Sequence, residues 1–202
     1  MKIKTLAAMA ILAVMMIGLA TTSAQAMEDK HHLGLFLNGS KELAPRIDLT
    51  YHINWTNYIG NQLPYTYVGL NRTFSDNFRI EGMVGYDFQA VEGDSGLAYA
   101  LASNTKVGKF NFYNDLEYWS GTNCFFSYNS LTYPVGVARI GLDEANFYYF
   151  DWEDTARRAY RVGPSLRIPM SQNSTLGMFY FYQFENDGQD ANVFKLTLSL
   201  NF

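Results

Sequence analysis

The chain has 202 residues, of which 48% are hydrophobic and 16% aromatic, with 16 Gly, 5 Pro and a formal net charge of −4. A mildly acidic chain carries no basic footprint for nucleic acid, so no nucleic-acid partner is expected. Cys124 is the single cysteine; it excludes an internal disulfide, and Thr122, Asn123, Phe125 and Phe126 around it supply no metal-binding or thiol-activating group.

Taken in chain order, the N-terminus reads as an export signal. Lys2 and Lys4 precede an apolar run from Leu6 to Ala20 and the small-residue site Ala24-Gln25-Ala26. Residues 1–26 are therefore expected to be removed and 27–202 to form one domain. Beyond residue 26 no apolar run is long enough for a spanning helix, so a membrane protein with this sequence must be a closed β-barrel. Segments with period-two alternation follow: Leu33 to Asn38, Arg46 to His52, Tyr65 to Phe74, Phe78 to Ala90, Leu97 to Thr105 and Phe110 to Trp119. Phe125 to Thr132, Val135 to Trp152, Ala159 to Ile168, Thr175 to Glu185 and the terminal Phe194 to Phe202 complete the set. Phe147-Tyr148-Tyr149-Phe150 is apolar on both faces. A single-chain bacterial barrel with both ends on one side needs an even number of strands. The pattern therefore predicts an all-β transmembrane antiparallel barrel of about twelve strands, with a short extra strand near Thr56 to Gln62 after a turn at Asn54-Trp55. The alternative is ten strands, with the segment before Pro45 as a non-spanning arm.

The last strand is the clearest sorting feature. Phe194, Leu196, Leu198, Leu200 and Phe202 share one face, and Lys195, Thr197, Ser199 and Asn201 the other. An alternating strand ending on an aromatic looks like the insertion signal of bacterial outer-membrane barrels. It implies an outer-membrane location, contact with lipid and lipopolysaccharide, and recognition by the barrel-assembly machinery.

Function is expected on the polar face, which points into the lumen. Alternation gathers there Arg46, Arg79, Arg139, Arg161, Arg167 and Lys195 with Asp48, Glu81, Asp87, Asp115, Glu117 and Asp143. A charge facing lipid at mid-membrane costs about 2–4 kcal/mol for Arg or Lys, so one consistent charged face implies water or partners. Taken singly, each charge fits a lumenal salt bridge that props the wall. Together they describe a wet interior of both signs with weak charge selectivity. Metal-ligand spacings, phosphate-binding glycine loops and nucleotide fingerprints are absent from the sequence, so no cofactor is expected.

From Val135 onward the chain resembles the monomeric outer-membrane porin G family and, more loosely, the oligogalacturonate-specific porins. The blocks that carry the resemblance are Arg139-Ile140-Gly141-Leu142-Asp143, Asp151-Trp152-Glu153-Asp154 and Arg161-Val162-Gly163, followed by the strand from Thr175 and the aromatic terminus. The resemblance implies a monomeric pore for passive diffusion of small hydrophilic solutes, including sugars and short oligosaccharides. It also implies a pore-lining role for Arg139, Asp143 and Arg161.

Other readings stay open at this point. An outer-membrane lipid-modifying enzyme would need a nucleophile beside a base; of His31, His32 and His52 only His52, inward with Thr50, could serve, and no catalytic motif accompanies it. No enzymatic activity is expected. A closed structural barrel filled by its own side chains and a soluble ligand-binding barrel are the remaining readings.

Overall fold

The computed structural model describes residues 28–58, 61–88, 95–150, 157–185 and 190–202. The expected export segment lies outside them. The described chain forms β1 (Glu28–Ala44), β2 (Ile47–Tyr58), β3 (Asn61–Ser75), β4 (Phe78–Asp87), β5 (Gly96–Val107) and β6 (Phe110–Trp119). It continues with β7 (Cys124–Val135), β8 (Ala138–Tyr149), β9 (Arg157–Pro169), β10 (Ser174–Glu185) and β11 (Ala191–Asn201). Each strand pairs with its sequence neighbours, and β1 pairs with β11 to close the sheet into a barrel.

The chain is the all-β closed barrel that the alternation predicts, and its eleven strands lie between the about twelve expected and the alternative ten. An even count is required only when every neighbouring pair is antiparallel; here β1 and β11 run parallel, from Glu28 opposite Ala191 to Asn38 opposite Asn201. Asn54 and Trp55 do not turn the chain. They continue β2 and pair with Tyr65 and Pro64 of β3, so the described residues of the expected extra strand, 56–58 and 61–62, instead lengthen β2 and β3, and residues 59–60 lie outside the described ones. Nor is the segment before Pro45 a loose arm, since β1 is hydrogen-bonded on both sides.

Tight turns collect at one end of the barrel. At Gly108 and Gly136 φ is +60° in both cases, which suits the first central position of a type II′ hairpin turn. Arg46 has φ +66° and follows Pro45 in the β1–β2 turn, with its Nη1 donating to Phe74 O at 3.2 Å; it is a turn residue rather than the inward-facing residue the alternation predicted. Val135 likewise ends β7, and β8 starts only at Ala138. Pro164, lacking an N–H, sits where the β9–β10 ladder skips from the Ser165–Phe179 pair to the Val162–Tyr182 pair. Phe202 lies at the tight-turn end, its N–H donating to Asn38 O at 2.9 Å.

Strands of this length, tilted by ~40°, rise ~25–30 Å. Along that height the outer wall is apolar: Val68 (54% exposed), Leu101 (52%) and Leu142 (56%) stand near the middle. Exposed aromatics flank them, with Trp55, Phe88, Tyr118, Tyr160 and Phe184 towards the longer connections and Phe74, Phe110 and Phe202 towards the tight turns. Monomeric soluble proteins rarely expose a continuous apolar surface of this extent. A mid-height apolar band between two aromatic girdles is the pattern of a barrel wall in contact with lipid.

Candidate functional site in the barrel lumen

Eleven strands spaced ~4.8 Å apart at this tilt close to a backbone diameter of roughly 22 Å. Inward side chains fill much of it and leave a cavity of about 600 Å³ that opens at the tight-turn end. Seven of the ten predicted pore-lining residues border it: Arg79, Glu81, Asp115, Glu117, Arg139, Arg167 and Lys195. The other three, Asp87, Asp143 and Arg161, face inward but do not border it.

Glu81 anchors one cluster on the β2–β4 wall. It accepts a hydrogen bond from Thr50 Oγ1 and lies 2.7 Å from His52 Nε2, while His52 Nδ1 lies 2.9 Å from Asn38 Oδ1. Asn38 reaches on to Asn201 Oδ1 at 3.3 Å, which carries the network across the β1–β11 seam. Thr50 donates to the carboxylate and not to the imidazole, so the arrangement orders Glu81 rather than activating a hydroxyl nucleophile.

A second cluster belongs to β6. Glu117 is buried and its Oε2 accepts from Tyr67 OH at 2.5 Å and Trp119 Nε1 at 2.7 Å; Asp115 accepts from Tyr113 OH at 3.2 Å. Alternation along β6 sends Asn111, Tyr113, Asp115, Glu117 and Trp119 inward together. Asp87, on β4 two strands away, is buried on the same side of the lumen.

The third cluster binds β7, β8 and β9. Asp143, fully buried, accepts from Arg167 Nη2 at 2.5 Å and from Tyr128 OH. The same Arg167 nitrogen donates to Tyr128 OH at 2.9 Å and Ser130 Oγ at 3.0 Å, and the guanidinium lies 5.3 Å from the Phe179 ring centroid. Arg139 stands at the tight-turn mouth and, like Arg79, makes no hydrogen bond among the described residues. Lys195 Nζ lies 5.3 Å from the Phe36 ring.

Beyond the cavity, towards the longer connections, a layer of contacts follows the inner wall from strand to strand. Trp119 stacks on Phe126 at 5.5 Å, Phe126 meets Phe147 at 4.8 Å, and the Arg161 guanidinium covers Phe147 at 4.8 Å. Arg161 Nε then donates to Gln183 Oε1 at 2.5 Å, Gln183 donates to Glu185, and Lys30 Nζ donates to Glu185 at 3.2 Å. Five strands, β6, β7, β8, β9 and β10, thus contribute to a bridge that ends on β1.

Two features of the site escape the alternation pattern. One is this aromatic layer, whose only signal is that β8 is apolar on both faces at Phe147-Tyr148-Tyr149. The other is the uneven spread of charge around the wall: the cavity's carboxylates come from β2, β4 and β6 (Asp48, Glu81, Asp115, Glu117), whereas three of its four Lys and Arg residues, Arg139, Arg167 and Lys195, come from β8, β9 and β11, and the fourth, Arg79, shares β4 with Glu81. In a ring of eleven strands these groups face each other across the bore. No protein-family model matches the chain, and no curated protein matches it.

Proposed function

We propose that the protein is a bacterial outer-membrane pore for passive diffusion of small hydrophilic solutes. The supporting observation is the charged lumen: a polar cavity with its carboxylates on one wall beside Arg79, and Arg139, Arg167 and Lys195 on the other, inside a barrel whose outside is apolar. Such a transverse field orients water and dipolar solutes, and polyhydroxyl solutes such as sugars or short oligosaccharides find donors and acceptors on both sides. The layer through Trp119, Phe147 and Arg161 is the constriction, so the pore is narrow. Its likeness to the porin G family and the oligogalacturonate-specific porins, carried by the blocks around Arg139, Asp151 and Arg161, agrees with this reading. Phe194, Leu196, Leu198, Leu200 and Phe202 then serve as the strand read by the barrel-assembly machinery, with lipopolysaccharide around the outer half.

Deep burial at the same level, with Gln183 1% and Val193 and Ala191 0% exposed, favours a second reading, a closed structural barrel filled by its own side chains. Uptake by proteoliposomes separates the two. A pore lets liposomes loaded with a large impermeant sugar swell in isotonic monosaccharide, faster still for Phe147→Ala. A closed barrel gives no swelling with either chain.

A further inference from the structure

The described chain runs the height of the barrel eleven times, and an odd number of crossings leaves its two ends on opposite sides. A barrel with an even number, closed by an antiparallel pair, returns both ends to one side. Here the closing pair is parallel, with Glu28 opposite Ala191 and Asn38 opposite Asn201. The chain enters the wall at the end where β11 starts and leaves it at the end where β1 finishes.

The connections tell the two ends apart. Residues 45–46, 76–77, 108–109, 136–137 and 170–173 join the strands at the end where β1 and β11 finish. Residues 59–60, 88–95, 120–123, 150–156 and 186–190 join them at the end where β1 and β11 start. Bacterial outer-membrane barrels turn tightly on the periplasmic side and carry their longer connections outside. Glu28, beside the first residue of β11, belongs to the outer end. His32 already stands opposite Tyr58, the last residue of β2, so residues 28–31 run on past that strand and pair with β11 alone.

The start of β1 is held in this place. Lys30, in phase with the inward Phe36 and Asn38, donates from Nζ to Glu185 at the end of β10, 3.2 Å away, and the two side chains are 13% and 5% exposed. His31, on the outer face, meets the Phe194 ring edge-on at 6.4 Å. These contacts tie the amino end of β1 to β11 and, beyond it, to β10.

We propose that the amino end of the barrel lies at the cell surface and the carboxyl end in the periplasm; the inference rests on the outer-membrane reading above. A segment joined ahead of Glu28 is then displayed outside the cell, where an extracellular protein reaches it without crossing the membrane. Lys30 and Glu185 line the outer mouth, so the start of the chain is part of the entrance for solutes arriving from outside. Phe202 stays on the side from which the strand is inserted.

The test uses the full chain in a bacterial outer membrane, with Cys124→Ala and single cysteines read by gel shift. The reagent is a maleimide-polyethylene glycol too large to pass that membrane. On intact cells Glu28→Cys should label like Ser120→Cys in the β6–β7 connection and at least tenfold more than Lys109→Cys in the β5–β6 turn; lysed cells should label all three. Labelling of Glu28→Cys only after lysis, or equal labelling of Glu28→Cys and Lys109→Cys on intact cells, overturns the inference. If Glu28→Cys lacks the heat-dependent gel migration of a folded barrel, an epitope inserted between Met27 and Glu28 and read by antibody, against the same epitope between Gly108 and Lys109, decides by the same comparison. Extraction of the parent chain by alkaline carbonate would instead refute the membrane reading on which both proposals rest.

Discussion

Asp143 shows how much one inward residue can depend on its neighbours. Its carboxylate is fully buried and held by Arg167 and Tyr128. Asp143→Ala leaves Arg167 facing Tyr128 and Ser130 without its counter-charge; because the guanidinium is partly solvated, the cost is about 2–3 kcal/mol. Asp143→Asn, which keeps the shape and one acceptor, should cost less than half of that, and urea unfolding in detergent micelles measures both. The inward direction of Asp143, Arg167, Glu81 and Asp115 was legible because a two-residue period leaves a side chain only two choices. Their partners were not: Arg167 lies 24 residues from Asp143, and which residues meet across strands depends on a register that single-strand patterns do not contain. The outward Asn114 was visible as a polar residue in phase with Phe112 and Leu116, yet only the register sets Ser103, Asn129 and Glu144 in one row with it.

At the scale of elements, turns and closure decide the count. Gly136 sits at φ +60° with open space around its Cβ position, so Gly136→Ala meets no clash and costs only the left-handed backbone penalty, about 1–2 kcal/mol; the same unfolding experiment reads it. Eleven alternating runs could be found along the chain, but the parallel seam could not, because β1 and β11 stand at the two ends of the sequence. The seam has a direct check. Leu35 and Leu198 are register partners, so Leu35→Cys/Leu198→Cys with Cys124→Ala should form an intramolecular disulfide in the folded barrel. A barrel closed by β2 against β11, or with a twelfth strand between β1 and β11, would leave both thiols free. The outer wall follows the same logic: Leu142→Arg places a cation at mid-height on the lipid side and should destabilise the barrel in liposomes by about 2–4 kcal/mol, with a smaller loss in detergent.

For the molecule as a whole, an apolar exterior, aromatic girdles and a charged polar lumen support the proposed narrow pore. The balanced charge read from the sequence suggested weak selectivity, whereas the fold places the cavity's carboxylates on β2, β4 and β6 and three of its four Lys and Arg residues on β8, β9 and β11. Removing one wall with Glu81→Gln/Asp115→Asn should therefore shift the reversal potential in a salt gradient towards anions, with Lys195→Gln shifting it the other way. The constriction was hidden for a physical reason: Trp119, Phe126 and Phe147 are apolar residues on the inward face, and alternation marks inward positions by polarity. The most direct test is single-channel recording of the purified, refolded chain in planar bilayers. Small steps from the parent chain, increased at least twofold by Phe147→Ala/Arg161→Ala, are the expected result; no steps at any voltage from either chain would contradict a solute path through the barrel.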